Sequence, residues 1–550
     1  NFFKKENENK ERKNHIIGNK SLPYIIIDKF SGGSLINIKY EQLLKYAQPD
    51  DGEAFKVLSA DFVTTEDGTG IVHLAPSFGA DDSRVAKQNG IGSLTLVDEQ
   101  GRFTKEVTDF YGQYVKEEYY TEKEVKPKLP ADVQVVIKIK EEGNLFKSEK
   151  YEHSYPHCWR TDKPILYYPL DSWFVKTTSH KKRMLELNKT INWKPASTGD
   201  GRFGNWLENL VDWNLSRSRF WGIPLPIWRT ENGEEEVCIG SIEELKVEIN
   251  KSVAAGFMMQ NPLEKFVVGD FSEENYNVFD LHRPYVDDII LVSNSGLAMK
   301  RELDLIDVWF DSGSMPYAQL HYPFENKELF KESFPADFIA EGVDQTRGWF
   351  FTLHAISTLV FDSVAYKNVV SNGLVLDKSG NKMSKRLGNA TDPFITINKY
   401  GADATRWYMI SNAQPWDNLK FDEGGILEVQ RKFFGTLYNT YSFFSLYANI
   451  DNYKYVSGES KINNRDKTDK WIISELNSLI DDVTENYESY EPTKAARLIQ
   501  DFVVNKLSNW YIRLNRRRFW KGEYNLDKKN AYSTLFECLE IVALISCPIA

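Results

Sequence analysis

Four stretches late in the chain repeat apolar residues every three or four positions: VQRKFFGTLYNTYSFFSLY (429–447), DKWIISELNSLIDDV (469–483), TKAARLIQDFVVNKLSNWYIRL (493–514) and AYSTLFECLEIVALI (531–545). A 3.6-residue period gathers such positions on one helical face, so they predict an α-helical bundle over residues 417–550. The polar run VSGESKINNRDKTD (456–469) reads as a loop between its helices. Residues 1–150 have another texture. Short β-branched runs, YIIID (24–28), FKVLSADFV (55–63), GIVHL (70–74) and VQVVIKI (133–139), are broken by Gly, Asp and Pro, which predicts a β-rich domain. Across 151–416 strand-like runs lead into helix-like ones. FPADFIAEG (334–342) precedes GWFFTLHAISTLVF (348–361), and NVVSNGLVLD (368–377) precedes a lysine-rich loop. Strand then helix, repeated, predicts a parallel sheet in an α/β domain.

At 550 residues the chain exceeds one ordinary core, and 41% hydrophobic with 14% aromatic residues argues against disorder. A net charge of −11 disfavours a non-specific nucleic-acid coat, yet leaves room for a local basic groove. The four cysteines, Cys158, Cys238, Cys538 and Cys547, form no CxxC pair, which fits a reducing compartment. No apolar run approaches the ~18 residues a membrane span needs, and the charged beginning NFFKKENENKERKN is unlike a signal peptide. The expectation is a soluble, cytoplasmic protein. The chain begins at Asn1 and stops while an apolar helical pattern, CLEIVALISCPIA (538–550), is still running, so it reads as a piece of a longer protein.

Candidate chemistry starts with LDKSGNKMSKRLGNATDP (376–393), where Lys382 and Lys385 sit three apart between Gly380 and Gly388. Glycines give such a loop mobility, and its ammonium groups can close on a polyphosphate; a solvated surface loop is the plainer alternative. The GxxxxGK[ST] spacing is absent, so a Walker loop is excluded. EGVDQ (341–345) ends a strand-like run, where open α/β sheets bind ligands; a helix cap would explain Asp344 or Gln345 equally well. GTGIVHLAPSFGADDSRVAKQNG (68–90) reads as strand, glycine turn and helix start, with Asp81 or Asp82 as possible caps. LSNWYIRLNRRRFWKG (507–522) mixes cations with aromatics, a pattern that serves nucleic acid or a solvated helix face.

KMSKR (382–386), followed by LGNATDP, resembles the KMSKS signature of class I aminoacyl-tRNA synthetases. YPHCWR (155–160), LSRSRFWGIPLPIW (215–228), DVWFDSGS (307–314) and EGVDQTRGWF (341–350) resemble the isoleucyl-tRNA synthetases of that class, in order and approximate spacing. The resemblance covers essentially the whole chain. It implies a Rossmann-like catalytic domain over 151–416, with part of a β-rich editing domain before it (1–150) and an anticodon-binding bundle after it (417–550). The implied reaction joins isoleucine to ATP, with Mg2+, and passes the acyl group to tRNA(Ile); the expected state is a monomer.

By matching position the resemblance implies roles for individual residues. Lys382 and Lys385 would be catalytic, binding ATP together with Met383 and Ser384. Glu341, Gly342, Asp344 and Gln345 would line the aminoacyl-adenylate site, with Trp349 supporting the side-chain pocket. Asp82 would hold the amino group of a mischarged residue for hydrolysis, with His73 and Asp81 as neighbours. Arg513, Arg516, Arg517 and Arg518 would contact tRNA. Asp307 and Asp311 read as structural.

Departures are equally specific. Asn372-Gly373 stand where the family often has His-Gly, and Arg386 replaces the usual serine. The family's HIGH element is approached only by HIIGN (15–19), which has one residue too many and is followed by a strand-like run. The threonine-rich editing peptide is also missing, so the chain is not expected to complete aminoacylation or editing alone. Some relatives hold zinc on cysteine pairs after WGIPLP; here Cys238 stands alone and VSNSG (292–296) has no cysteine, so no zinc is expected. His153, His157 and Cys158 lack a fourth ligand nearby. A free-standing deacylase or a non-catalytic tRNA-binding relative are the alternatives; the lysine loop and EGVDQ are superfluous to the first.

Overall fold

The strand-helix-strand unit anticipated between FPADFIAEG and NVVSNGLVLD is present in the computed structural model, which describes residues 8–9, 22–64, 69–150, 152–158, 160–384 and 388–550. Two compact units, Asn1–Asp171 and Ser172–Ala550, make up the chain. In the second, strands β1 (Asn192–Lys194), β2 (Ala336–Gly342) and β3 (Tyr366–Asn372) form a parallel sheet in the order β2-β3-β1. The register sets Glu341 opposite Ser371 and Gly342 opposite Asn372, so β2 and β3 end side by side.

The connection between β2 and β3 is the helix Trp349–Phe361, buried without interruption from Phe350 to Thr358. A helix apolar all round needs cover on every side, and this one packs with Met184, Trp193, Phe203, Tyr366 and Val369 in a single core. Trp193 meets Phe350 edge to face, with ring centroids 5.5 Å apart. Burial pushes the pKa of His354 in this helix down to about 4, so the ring is neutral and donates from Nε2 to the Met184 carbonyl. Its role is structural.

Between WGIPLPIW and DVWFDSGS the chain builds a four-stranded antiparallel sheet under the helix Ile242–Ala254, with Trp228, Ile249 and Leu291 buried. At one end of this sheet the Glu235 carboxylate accepts hydrogen bonds from the hydroxyls of Ser293 and Ser295. Cys238 lies in the strand Glu236–Cys238.

The helical periodicity in the last quarter is realised. In Lys467–Glu488 the inward positions are Asp469, Ile472, Leu476, Leu479 and Val483, one face of a helix begun by an Asp466–Asp469 capping box. The bundle core starts earlier than residue 417: Tyr400, Ala404, Trp407 and Tyr408 belong to it along with Phe502, Tyr511, Phe519 and Tyr532.

The first unit differs from its expected strand-rich texture. Among its described residues there is no strand ladder, only isolated bridges such as Lys39 with Lys56 and Arg102 with Tyr114. VQVVIKI is not a strand but most of the helix Ala131–Glu141. Ala131 is buried, Gln134, Val135, Val136, Lys138 and Ile139 are half-buried, and Asp132, Val133, Ile137 and Lys140 are exposed, a pattern without the strict alternation of a strand. Asp132 in the first turn and Lys138 and Lys140 in the last also suit the helix dipole. Ile25, Ile27 and Ile71 remain exposed, and a β-branched run without a paired neighbour gains nothing from strand geometry. YPHCWR ends in a turn closed by Cys158 N–H to the Lys163 carbonyl, 2.8 Å.

Candidate functional site

The carboxyl ends of β2 and β3 carry the two segments singled out from sequence. After β2, Val343–Arg347 makes a tight 3-10 turn into the helix Trp349–Phe361. Gln345 organises it: its Oε1 accepts from the Trp349 N–H at 3.0 Å, and its Nε2 donates to Asp344 Oδ2 at 3.1 Å. The Asp344 carboxylate folds over Gly342, where a Cβ would come within 2.6 Å of Oδ1. Glu341 and Gly342 are half-buried, Asp344 is exposed, and buried Thr346 accepts from Arg202 Nε at 3.0 Å. Gln345 thus accepts the first N–H of the helix Trp349–Phe361, whose N-cap residue is Gly348, and Asp344 lies in the first turn of Val343–Arg347, so the capping alternative also fits both residues.

DVWFDSGS lies against this turn. Asp307, almost fully buried, caps the helix Val308–Gly313 and accepts from Arg217 at 2.6 Å and Trp213 at 3.1 Å, the structural role expected of it. Burial, helped by the nearby Asp307, raises the Asp311 carboxyl above its ordinary value. Trp349 donates from Nε1 to the Ser312 carbonyl at 2.8 Å. The Trp309 ring reaches within 3.1 Å of where a Gly348 Cβ would stand, so that glycine permits the contact. Trp309 was not singled out from sequence; its half-exposed ring beside Gln345 and Trp349 shows only once the two helices pack.

After β3 the chain passes Asn372-Gly373. A Cβ on Gly373 would lie 2.4 Å from the Asp417 carbonyl oxygen, so only glycine admits the turn 414–417 here. The next strand, β4 (Val375–Leu376), pairs in parallel with β5 (Leu419–Lys420) and opens the lysine loop. Lys382 is exposed and its backbone bridges to Leu376; Met383 and Ser384 are half-buried. Lys385 and Arg386 lie outside the described residues, as does HIIGN (15–19). The loop read as mobile is tied at its base. Asp377 Oδ1 accepts the Asn381 N–H at 2.8 Å, and Asn389 bonds Asp377, Ser384 and Lys382.

In the first unit, Asp81 and Asp82 occupy the first turn of the helix Ala80–Gln88, and neither caps it. Asp81 pairs with Arg84 at 3.3 Å and is exposed. Asp82 is half-buried and its Oδ2 accepts the Ala75 N–H at 3.3 Å, while His73 is exposed nearby in sequence.

The arginine cluster divides. Arg513, Arg516 and Arg517 are exposed on the helix Arg513–Trp520, near exposed Trp510 and Trp520. Arg518 instead points inward, pairing with Asp469 at 2.8 Å and Asp527 at 2.6 Å. Burial works against its charge, but these hydrogen bonds hold its pKa above the ordinary value. A guanidinium engaged by two carboxylates has little left for a phosphate, which sets Arg518 apart from the other three arginines expected to contact tRNA.

The family described as tRNA synthetases class I (I, L, M and V) matches residues 4–422, and the anticodon-binding domain of tRNA ligase matches 469–550. An isoleucine–tRNA ligase from Cytophaga hutchinsonii is 64% identical, over 97% of this chain and 48% of its own length. One from Bacteroides fragilis is 60% identical, over 97% of this chain and 49% of its own length. The chain thus spans about half the length of the curated relatives it matches. Among solved structures, Mycobacterium tuberculosis methionyl-tRNA synthetase bound by methionyl-adenylate aligns with a TM-score of 0.49 at 17% identity, covering 72% of this chain and 64% of that one.

Proposed function

Because the chain belongs to the class I tRNA synthetases, we propose that it is the part of an isoleucine–tRNA ligase that holds the adenylate and pyrophosphate side of the active site. The observation that carries this is the register of β2 and β3: Gly342 pairs with Asn372, so EGVDQ and the segment leading to the lysine loop leave the same end of adjacent strands. The relatives' names supply the choice of isoleucine.

In the first half-reaction a carboxylate oxygen of isoleucine attacks the α-phosphorus of ATP and the bond to pyrophosphate breaks. Charge grows on the α-phosphate and the leaving group. Lys382 and Lys385 are assigned to those oxygens, since a cation placed where charge develops lowers the barrier more than it tightens substrate binding. Glu341, Gly342, Asp344 and Gln345 are assigned to the amino acid and adenylate, with Trp349 and Trp309 beside the side-chain pocket. Mg2+ accompanying ATP asks for no cage from the loop, whose basal carboxylate, Asp377, is already occupied by Asn381 and Asn389. In the second step a ribose hydroxyl of tRNA(Ile) takes the acyl group and AMP leaves. The test is isoleucine-dependent exchange of pyrophosphate into ATP by a polypeptide of the relatives' full length; exchange driven by another amino acid instead would sink the reading.

The exposed Arg513, Arg516 and Arg517 are assigned to tRNA phosphates. Changing all three to glutamine should weaken tRNA binding and reduce its salt dependence by roughly one unit of slope per arginine. A titration with an unchanged slope removes them from the interface.

Editing is proposed for the first unit, through the carboxylate of Asp82 and the amino group of a valyl residue. A pocket built for isoleucine rejects valine by only ~1–3 kcal/mol, a general magnitude for which this amino-acid pair is itself the standing example. Asp82→Ala, in the full-length polypeptide, should let valyl-tRNA accumulate while isoleucine activation persists. If no valyl-tRNA appears, Asp82 has no such role.

A further inference from the structure

The lysine loop is hung from a clasp of two side chains, and the clasp sits where loop position is decided. Asp377 follows β4 directly. Its Oδ1 accepts the Asn381 N–H at 2.8 Å and its Oδ2 accepts Asn389 Nδ2 at 3.0 Å. The same Asn389 amide accepts the Ser384 N–H at 2.9 Å and donates to the Lys382 carbonyl at 3.2 Å. One side chain therefore spans the backbone on both sides of Met383 and ties it to Asp377.

The anchor is firm on the other side. β4 pairs with β5, whose Leu419 is buried in the bundle core, and Lys378 reaches Asp422, which caps the helix Glu423–Val429. Gly380, with φ of +89°, turns the chain within the clasp. Asn389, helped by the Asn381 and Ser379 amides, holds the Asp377 carboxyl below its ordinary value, so it stays ionised as an acceptor near neutrality.

We infer that Asp377 and Asn389 are positioning residues for the reaction: they set the height of the Lys382–Ser384 backbone above the strand ends, and so where the loop's cations meet the phosphates. This rests on the ATP-side reading of the loop given above. Neither residue touches the reacting atoms, but a displacement of about 1 Å at the loop is enough to cost on the order of 100-fold in rate.

The experiment compares Asp377→Asn, Asn389→Asp and the double exchange in the full-length polypeptide. Each single change disturbs the pair: the first sets two amides face to face, the second two carboxylates. The double exchange restores a carboxylate facing an amide, but an aspartate in place of Asn389 cannot donate to the Lys382 carbonyl, so that bond stays broken. Each single variant should lose roughly 10- to 100-fold in kcat for pyrophosphate exchange with the KM for isoleucine nearly unchanged, and the double variant should regain only the part of that loss due to the two facing carboxylates. Unaltered single variants, or a loss that falls on KM instead of kcat, would overturn the inference. Amide hydrogen exchange at Asn381 and Ser384 reads the clasp without catalysis. Protection in the wild type that is lost in both single variants is expected, and equal exchange in all forms refutes the clasp. Should the wild type lack isoleucine-dependent exchange altogether, the functional reading fails while the amide measurement still judges the clasp.

Discussion

Lys385→Ala is expected to slow isoleucine-dependent exchange of pyrophosphate into ATP by roughly 100- to 1,000-fold, the usual cost of deleting a group that meets developing charge. Binding of tRNA should change little, because the arginines assigned to it lie on a different element, the helix Arg513–Trp520. Lys385 is outside the described residues, and its assignment comes from the KMSKR resemblance. What the fold adds is the hold on its flanks: Ser384 on one side and Asn389 on the other are bonded to each other. Lys385→Arg would keep the charge but change the donor geometry, and should fall between wild type and alanine. An alanine variant with wild-type exchange would remove Lys385 from the chemistry.

The second large effect is on stability. Asp469→Ala should destabilise the bundle by ~3–5 kcal/mol, the range for breaking a buried ion pair by deleting one partner. Asp469 is fully buried and accepts from Arg518 Nη1 at 2.8 Å, Arg518 Nη2 at 2.9 Å and the Tyr511 hydroxyl at 2.7 Å. Its removal leaves the Tyr511 hydroxyl without this acceptor and strips the buried side of the guanidinium. Asp527→Asn touches the same arginine from a half-exposed position and should cost under about 1 kcal/mol, as exposed pairs do. Urea unfolding followed at the bundle transition decides the matter: equal midpoints for the two variants would show that Arg518 draws nothing special from Asp469.

Much of the architecture was legible because local pattern and tertiary burial agree. The positions 472, 476, 479 and 483 that mark DKWIISELNSLIDDV as amphipathic are those the bundle buries. FPADFIAEG ends as a strand at Gly342, and the helix after it begins at Trp349. VQVVIKI was misleading for a definite reason. A short apolar run carries no reliable period, and its β-branched residues favour a strand only if a neighbouring strand is there to pair with.

Sequence alone therefore determined the helical bundle, the strand-helix-strand unit, the family resemblance and the chemical character of the lysine loop, because each depends on residues near one another in the chain. Only the tertiary structure decided which cations are available. Arg513, Arg516, Arg517 and Arg518 are alike on paper, and Arg518 is set apart by Asp469, forty-nine residues away. Only the fold, too, revealed that Trp309 lies beside Gly348 and that Asn389 holds Asp377. The physical reason is common to all three: hydrogen bonds and ion pairs act over a few ångströms, and which distant segments come that close is settled by packing the helices and sheet together.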